Sequence, residues 1–204
     1  MGVVSTAGKN IMLDALRSSG ITHVGLLTAQ TPLTAVTAVA STDTFTKTSH
    51  GLSNGDLVIL TALSGGTGLQ AGNANNADEQ ARVYYVIASA TNTFQLALTP
   101  GGSAVDFTTD VTAVTVTKLV EVSGGSPAYA RKSIAYAAAS GGVIDDSTNG
   151  AAIDVPACTV DYIGYYSAVT AGNLLVLDKT AQEVFAAQGV FTVTDSKVDL
   201  NTGP

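Results

Sequence analysis

The 204-residue chain is 46% hydrophobic but only 12% charged, and 21 glycines together with many Thr, Ser and Asn take the place of charge. Sixteen acids against nine bases leave a formal net charge of −7, so the chain repels phosphate backbones and is not expected to bind nucleic acid. No run reaches the roughly 18–20 apolar residues that cross a bilayer, and the single Cys158 can form neither an internal disulfide nor a cysteine zinc cluster.

Thr and Val favour strands while Gly and Asn punctuate turns, which predicts a β-rich protein with tight connections. The first 14 residues carry only Lys9 and no long apolar run, which is not the pattern of a secretory signal. A helix is expected at residues 5–19. Ser5 or Thr6 would cap it, and Ile11, Met12, Ala15 and Leu16 share one side. Gly20 suits the left-handed position after its last turn. A strand at 22–28 follows and ends at Gln30-Thr31-Pro32.

Residues 33–40 and 42–48 read as extended. His50-Gly51-Leu52-Ser53-Asn54-Gly55-Asp56 is turn chemistry, with Asn54-Gly55 asking for positive φ, and it leads into the apolar run 57–60. Residues 64–80 are polar and rich in Gly and Asn, the composition of a long functional or mobile loop. A hairpin is expected from 82–88 and 94–98 across Thr91-Asn92. Residues 111–122 place Val114, Val116, Val120 and Val122 on one face and carry the chain from one domain back to the other. Beyond Ser123, short strands are expected at 133–139, 152–155, 159–167, 174–177, 184–187, 190–194 and 197–200, the spacing of an antiparallel sandwich. The missing βα alternation excludes a doubly wound nucleotide fold.

Little in the chain points to catalysis. His23 and His50 fall in different expected domains, one in a strand and the other before a Gly in a turn, and a structural role is preferred for each over catalysis, which needs a base and a nucleophile within hydrogen-bond reach. Ser64-Gly65-Gly66-Thr67-Gly68 lacks the Lys-Ser/Thr that completes a phosphate loop. Asp145, Ser147 and Asn149 with Gly150 match the first half of a calcium loop. Pro156 stands where the closing Glu belongs, so these three are a weak metal candidate and a surface turn is preferred. Glu183, Asp154, Asp161, Asp178, Asp195 and Asp199 are scattered over strand ends, and none is singled out as half of a catalytic pair. Tyrosines crowd the second half. Tyr129, Tyr165 and Tyr166 are interface candidates, because Tyr buries apolar area and keeps a polar tip. Tyr165 and Tyr166 are adjacent and should point to opposite faces of a strand. Cys158 is expected to be a small buried residue.

Two distant stretches carry a resemblance. The opening Ser5-Thr6-Ala7-Gly8-Lys9-Asn10-Ile11-Met12-Leu13-Asp14-Ala15-Leu16 precedes Thr22-His23-Val24-Gly25-Leu26-Leu27-Thr28. Far downstream come Ser126-Pro127-Ala128-Tyr129-Ala130-Arg131-Lys132-Ser133-Ile134-Ala135-Tyr136-Ala137-Ala138-Ala139-Ser140-Gly141-Gly142, then Tyr162-Ile163-Gly164-Tyr165-Tyr166-Ser167-Ala168 and Gly189-Val190-Phe191-Thr192-Val193. Together they resemble a family of small tailed-bacteriophage virion proteins of the tail-fibre or minor-tail type. The intervening piece, with Tyr84-Tyr85-Val86-Ile87 and Thr91-Asn92-Thr93-Phe94-Gln95-Leu96, is similar to a β module that recurs in phage virion proteins.

The expected architecture is therefore all-β: an antiparallel β-sandwich base domain with one short N-terminal helix, residues 1–35 and 119–204, interrupted by an inserted β module, 36–118. The resemblance implies a non-enzymatic virion component on the tail, made in the host cytoplasm and needing no cofactor. Its partners would be other virion proteins, further copies of itself in a symmetric oligomer and a host cell-surface glycan. A capsid decoration protein is the first alternative. A tail-borne polysaccharide depolymerase is the less favoured one.

Overall fold

A computed structural model describes residues 5–72, 82–147, 150–194 and 196–199. Strands account for 49% of the chain and helix for 9%, so the protein is all-β, and its sheets are antiparallel. The elements in order are α1 (Thr6–Ser19), β1 (His23–Ala29), β2 (Leu33–Val39), β3 (Thr44–Thr46), β4 (Leu57–Gly65), β5 (Val83–Ile87), β6 (Thr93–Ala97), β7 (Val111–Glu121), β8 (Lys132–Ser133), β9 (Val143–Asp145), β10 (Ala151–Val155), β11 (Cys158–Tyr166), β12 (Leu174–Phe185), β13 (Gly189–Val193) and β14 (Lys197–Asp199). They fall into two compact units. The first comprises the described residues up to Leu27 and from Glu121 onward, the second Thr28–Val120. Residues 28–35, expected in the base domain, belong to the second unit, because β2 pairs there with β7 from Leu33↔Val116 onward.

In the first unit β1 pairs with β11, β11 with β12, and β8 lies along the start of β1. Val24 and Leu26 of β1 and Val160 and Tyr165 of β11 form one buried core with the ribbons β10–β13 and β9–β14, through Ile153, Phe191, Ile144 and Val198. This makes a sandwich-like layering. The Ser5 hydroxyl caps α1 by accepting from Gly8 N at 3.2 Å. The helix turns differently from the expectation. Leu13 is its buried residue, while Ile11 is 71% exposed and Met12 is exposed as well. Two polar side chains set that rotation: Asn10 accepts from Gly142 N at 2.8 Å and Asp14 from Ala139 N at 2.9 Å. Gly20 is not left-handed either (φ −137°). It is needed because a Cβ there would lie 2.8 Å from both Leu16 O and Leu175 Cδ1. The strand expected at 133–139 shrinks to β8, and those expected at 174–177 and 184–187 are one strand, β12.

The second unit is a closed barrel. Its strands run β7-β2-β3-β6-β5-β4 and return to β7, because β7 pairs with both β2 and β4. Closure leaves none of these strands with a long unpaired edge. Each partner of β7 carries an irregularity, between Leu33 and Val36 in β2 and between Thr61 and Ser64 in β4, of the kind that bends strands enough to close. Each contains an alanine in the left-handed region, Ala35 (φ 54°) and Ala62 (φ 50°). That conformation costs a non-glycine residue about 1–2 kcal/mol, partly offset by the extra freedom glycine gains on unfolding. Ala62→Gly is therefore expected to raise the stability of the barrel by about 0.5–1 kcal/mol, read as a higher urea midpoint.

The interior holds Phe45, Phe94 and Phe107, with Phe45 stacked on Phe94 at 5.3 Å. Leu119 is buried and Val120 exposed, so the expected face of Val114, Val116, Val120 and Val122 breaks where β7 leaves the barrel. The motif from His50 to Asp56 clasps the β5–β6 hairpin. Gly55 has φ +90°, as its turn requires, and Gly55 N and Asp56 O bond the two sides of Val86. Asn54 accepts from Ser89 N at 2.8 Å. Of the loop expected at 64–80, residues 64 and 65 end β4 and residues 73–80 lie outside the described residues.

Candidate functional site

The strand β1 is narrowest at Gly25, and the face of the first unit's sheet opposite its core is built over that gap. A Cβ on Gly25 would lie 2.6 Å from Tyr129 Oη and 3.1 Å from both Arg131 Cγ and Tyr166 Cε2. Tyr129 and Arg131, two apart in the segment that leads into β8, both reach this spot. Leu26 N donates to Tyr129 Oη at 2.9 Å, and the phenol donates onward to Glu121 Oε1 at 3.0 Å. Arg131 grips the same carboxylate with two bonds of 2.6 Å, Nε to Oε1 and Nη2 to Oε2, and Nη1 donates to Ala168 O at 2.9 Å. Its guanidinium carbon lies 3.4 Å from the centroid of the Tyr166 ring, a cation–π contact.

The Arg131 side chain is 9% exposed and that of Glu121 30%. Burial works against the charge on Arg131, and the Glu121 carboxylate more than restores it, so the guanidinium is held above its ordinary pKa. Burial likewise drives the Tyr129 phenol far up, so it stays a neutral donor. The loop between β11 and β12 closes a cleft of about 320 Å³ beside this cluster. Glu121, Tyr129 and Arg131 form one side, and Val169, Thr170 and Ala171 the other. The loop is held across its base, where Ser167 N donates to Asn173 O at 3.1 Å and Asn173 N to Ser167 Oγ at 2.9 Å.

Of the three expected interface tyrosines, the structure brings Tyr129 and Tyr166 into this cluster and sends Tyr165 into the core. Tyr165 and Tyr166 do point to opposite faces, yet they are only 3% and 4% exposed, so neither ring offers a free contact surface. The reason is that both faces of β11 are covered, one by the core and the other by Arg131. Tyr165 instead joins a buried hydroxyl chain: Ser196 Oγ donates to Tyr165 Oη at 2.8 Å and lies 2.6 Å from Tyr136 Oη. Burial pushes Tyr165 up to about 12, and Tyr136 is raised for the same reason.

Unfolded tyrosines ionise near pH 10, so above that pH the unfolded state binds fewer protons than the folded one and stability falls. The first unit is therefore expected to lose stability progressively between pH 10 and about 12. The tyrosinate absorbance of these buried rings should appear together with the loss of near-UV dichroism rather than before it.

The other sequence candidates are engaged structurally. Ser147 Oγ donates to Ala135 O at 2.9 Å, Asp145 faces Lys197 at 3.6 Å, and Asn149 lies outside the described residues. Among the described residues no group of three or more His, Cys, Asp or Glu converges. In the Gly-rich stretch, Gly66 N bonds Asp110 O and Thr67 N bonds Thr109 Oγ1, so those amides face their own chain and not a phosphate.

His50 is 5% exposed and accepts from Leu52 N at 3.0 Å. Its Nε2 lies 3.2 Å from Thr93 O, which can only accept, so Nε2 carries the proton. His23 Nδ1 contacts Thr22 Oγ1 at 2.8 Å. Asp161 accepts from Gln182 at 2.8 Å, Asp154 faces Lys132 at 3.8 Å, and Asp195 lies outside the described residues. Cys158 is half-buried, more open than expected, and burial raises its thiol.

Sequence reasoning named Tyr129 and Tyr166 but not the Glu121–Arg131 pair that binds them. The signal was present: Arg131 stands two residues after Tyr129, and Glu121 is the one acid in β7. Among the described residues no helix is long and apolar enough to cross a membrane. No protein-family model, curated protein or solved structure matches this chain.

Proposed function

We propose that this protein is a non-enzymatic structural component of a tailed-bacteriophage virion, displayed on the tail and acting through many weak contacts to neighbouring proteins or to the host surface. One observation carries the reading. Three of the five segments that resemble the virion family, 22–28, 126–142 and 162–168, are distant in sequence, yet they meet in one clamp of Gly25, Tyr129, Arg131, Tyr166 and Ala168. Their side chains bond one another and the backbone, as an architectural motif would. The closed barrel adds to this, since a unit without a long free strand edge can be displayed in many copies without edge-to-edge aggregation. In this reading the base unit docks on the particle, the barrel faces outward, and repetition turns weak contacts into firm ones.

The test is antibody labelling of intact particles in the electron microscope, with copy number from quantitative mass spectrometry. Label on the tail at low copy number is the expected result. Label over the head at high copy number would replace it with capsid decoration, and unlabelled particles would overturn both.

A further inference from the structure

We infer that the cleft between the Glu121–Arg131 pair and the 169–171 loop binds a neutral sugar ring of a glycan. The clamp leaves part of its hydrogen-bonding capacity uncommitted. Among the described residues, Glu121 Oε1 accepts two hydrogen bonds, from Arg131 Nε and Tyr129 Oη, but Oε2 accepts only one, from Arg131 Nη2. Arg131 spends one hydrogen of Nη1 on Ala168 O and one of Nη2 on Glu121, so each nitrogen keeps a second hydrogen. An acceptor and two donors thus sit side by side, fixed in place by the cation–π contact beneath them. Adjacent sugar hydroxyls, each of which donates and accepts, match that pattern.

The facing wall supplies the rest. Val169 is 48% exposed at the cleft, an apolar surface for the C–H face of a ring, and Thr170 adds an exposed hydroxyl. The volume of about 320 Å³ lies at the lower end for ligand clefts and suits a single ring.

Charge selects the class. The guanidinium and carboxylate cancel, so the site offers no net attraction to an ion, and the chain as a whole carries −7. An anionic sugar meets repulsion, and a cation would compete with Arg131 for Glu121. The pocket is preformed, because its floor is a bonded cluster and its loop is tied at both ends. A single ring held by a few such bonds should bind in the millimolar range. Its biological use rests on the virion reading, since only repeated display makes contacts that weak effective.

The experiment is an amide chemical-shift titration of the intact, isotope-labelled chain with methyl α-D-glucopyranoside, methyl α-D-mannopyranoside and methyl β-D-galactopyranoside, with methyl β-D-glucuronide as the anionic probe. At least one neutral glycoside should move the amides of Ala130 and Val169 to Ala171 in a saturable way. The glucuronide should bind about tenfold more weakly or not at all. Val169→Asp and Thr170→Trp, both in an exposed loop, should each weaken the neutral response about tenfold while leaving the dispersed spectrum unchanged.

Three outcomes overturn the inference. They are no shift at these amides with any neutral glycoside up to its solubility, an equal or stronger response to the glucuronide, and undiminished binding by both variants. The titration uses purified protein, so unlabelled particles would sink the virion reading without touching this result, and a silent titration would leave the particle labelling standing.

Discussion

Glu121→Ala is expected to lower the stability of the first unit by about 2–3 kcal/mol. The substitution removes the two carboxylate acceptors of the Arg131 guanidinium, leaving it Ala168 O, and removes the acceptor of the Tyr129 phenol, and the Arg131 side chain is only 9% exposed. Stranding one member of a fully buried pair costs about 3–5 kcal/mol. The expected value is smaller because Glu121 is 30% exposed and water can enter the vacated side.

The protein has no Trp, and five of its seven tyrosines (Tyr129, Tyr136, Tyr162, Tyr165 and Tyr166) lie in the first unit, so Tyr fluorescence during urea unfolding reports mainly on that unit. The double variant Glu121→Ala with Arg131→Met should be less destabilised than the sum of its parts, because it no longer buries an unpaired charge. A loss below about 0.5 kcal/mol for Glu121→Ala would mean that the pair behaves as an ordinary surface ion pair and does not hold the clamp together.

Phe94→Ala is expected to cost the barrel about 3–5 kcal/mol. The ring is fully buried, stacks on Phe45 at 5.3 Å and packs against the His50 ring at 4.9 Å, so truncation opens a cavity in the middle of the interior. A loss of that size is a large share of the 5–15 kcal/mol typical of a whole domain. Amide hydrogen exchange is the natural readout. Protection should fall throughout the strands of the barrel, β2 to β7, and stay close to that of the unaltered protein in the first unit, since the core of each unit is its own. Equal loss of protection in both units would show that they unfold as one and would refute this independence.

Local chemistry made much of the fold legible. The Ser5 cap, the positive φ of Gly55 and the hairpin across Thr91-Asn92 all depend on residues within a few positions of one another, and short-range sterics and hydrogen bonds decide them. Non-local pairing stayed hidden. Nothing in residues 28–35 says that they leave the base unit and that Leu33 pairs with β7, because a strand's partner is chosen by a register that exists only after the chain has folded back. The rotation of α1 is hidden for a related reason: Asn10 and Asp14 find backbone amides more than a hundred residues away, and those bonds turn Ile11 outward.

The same division runs through the candidate site. By itself the sequence determined the all-β class, the acidic low-charge character and the tyrosine-rich second half, since composition and short-range pattern carry these. Only the tertiary structure decided that Tyr165 is core and Tyr129 is clamp, that Glu121 and Arg131 are partners, and that a cleft opens beside them. A hydrogen bond acts over about 3 Å and discriminates by direction, so which donors and acceptors meet depends on where distant strands come to lie.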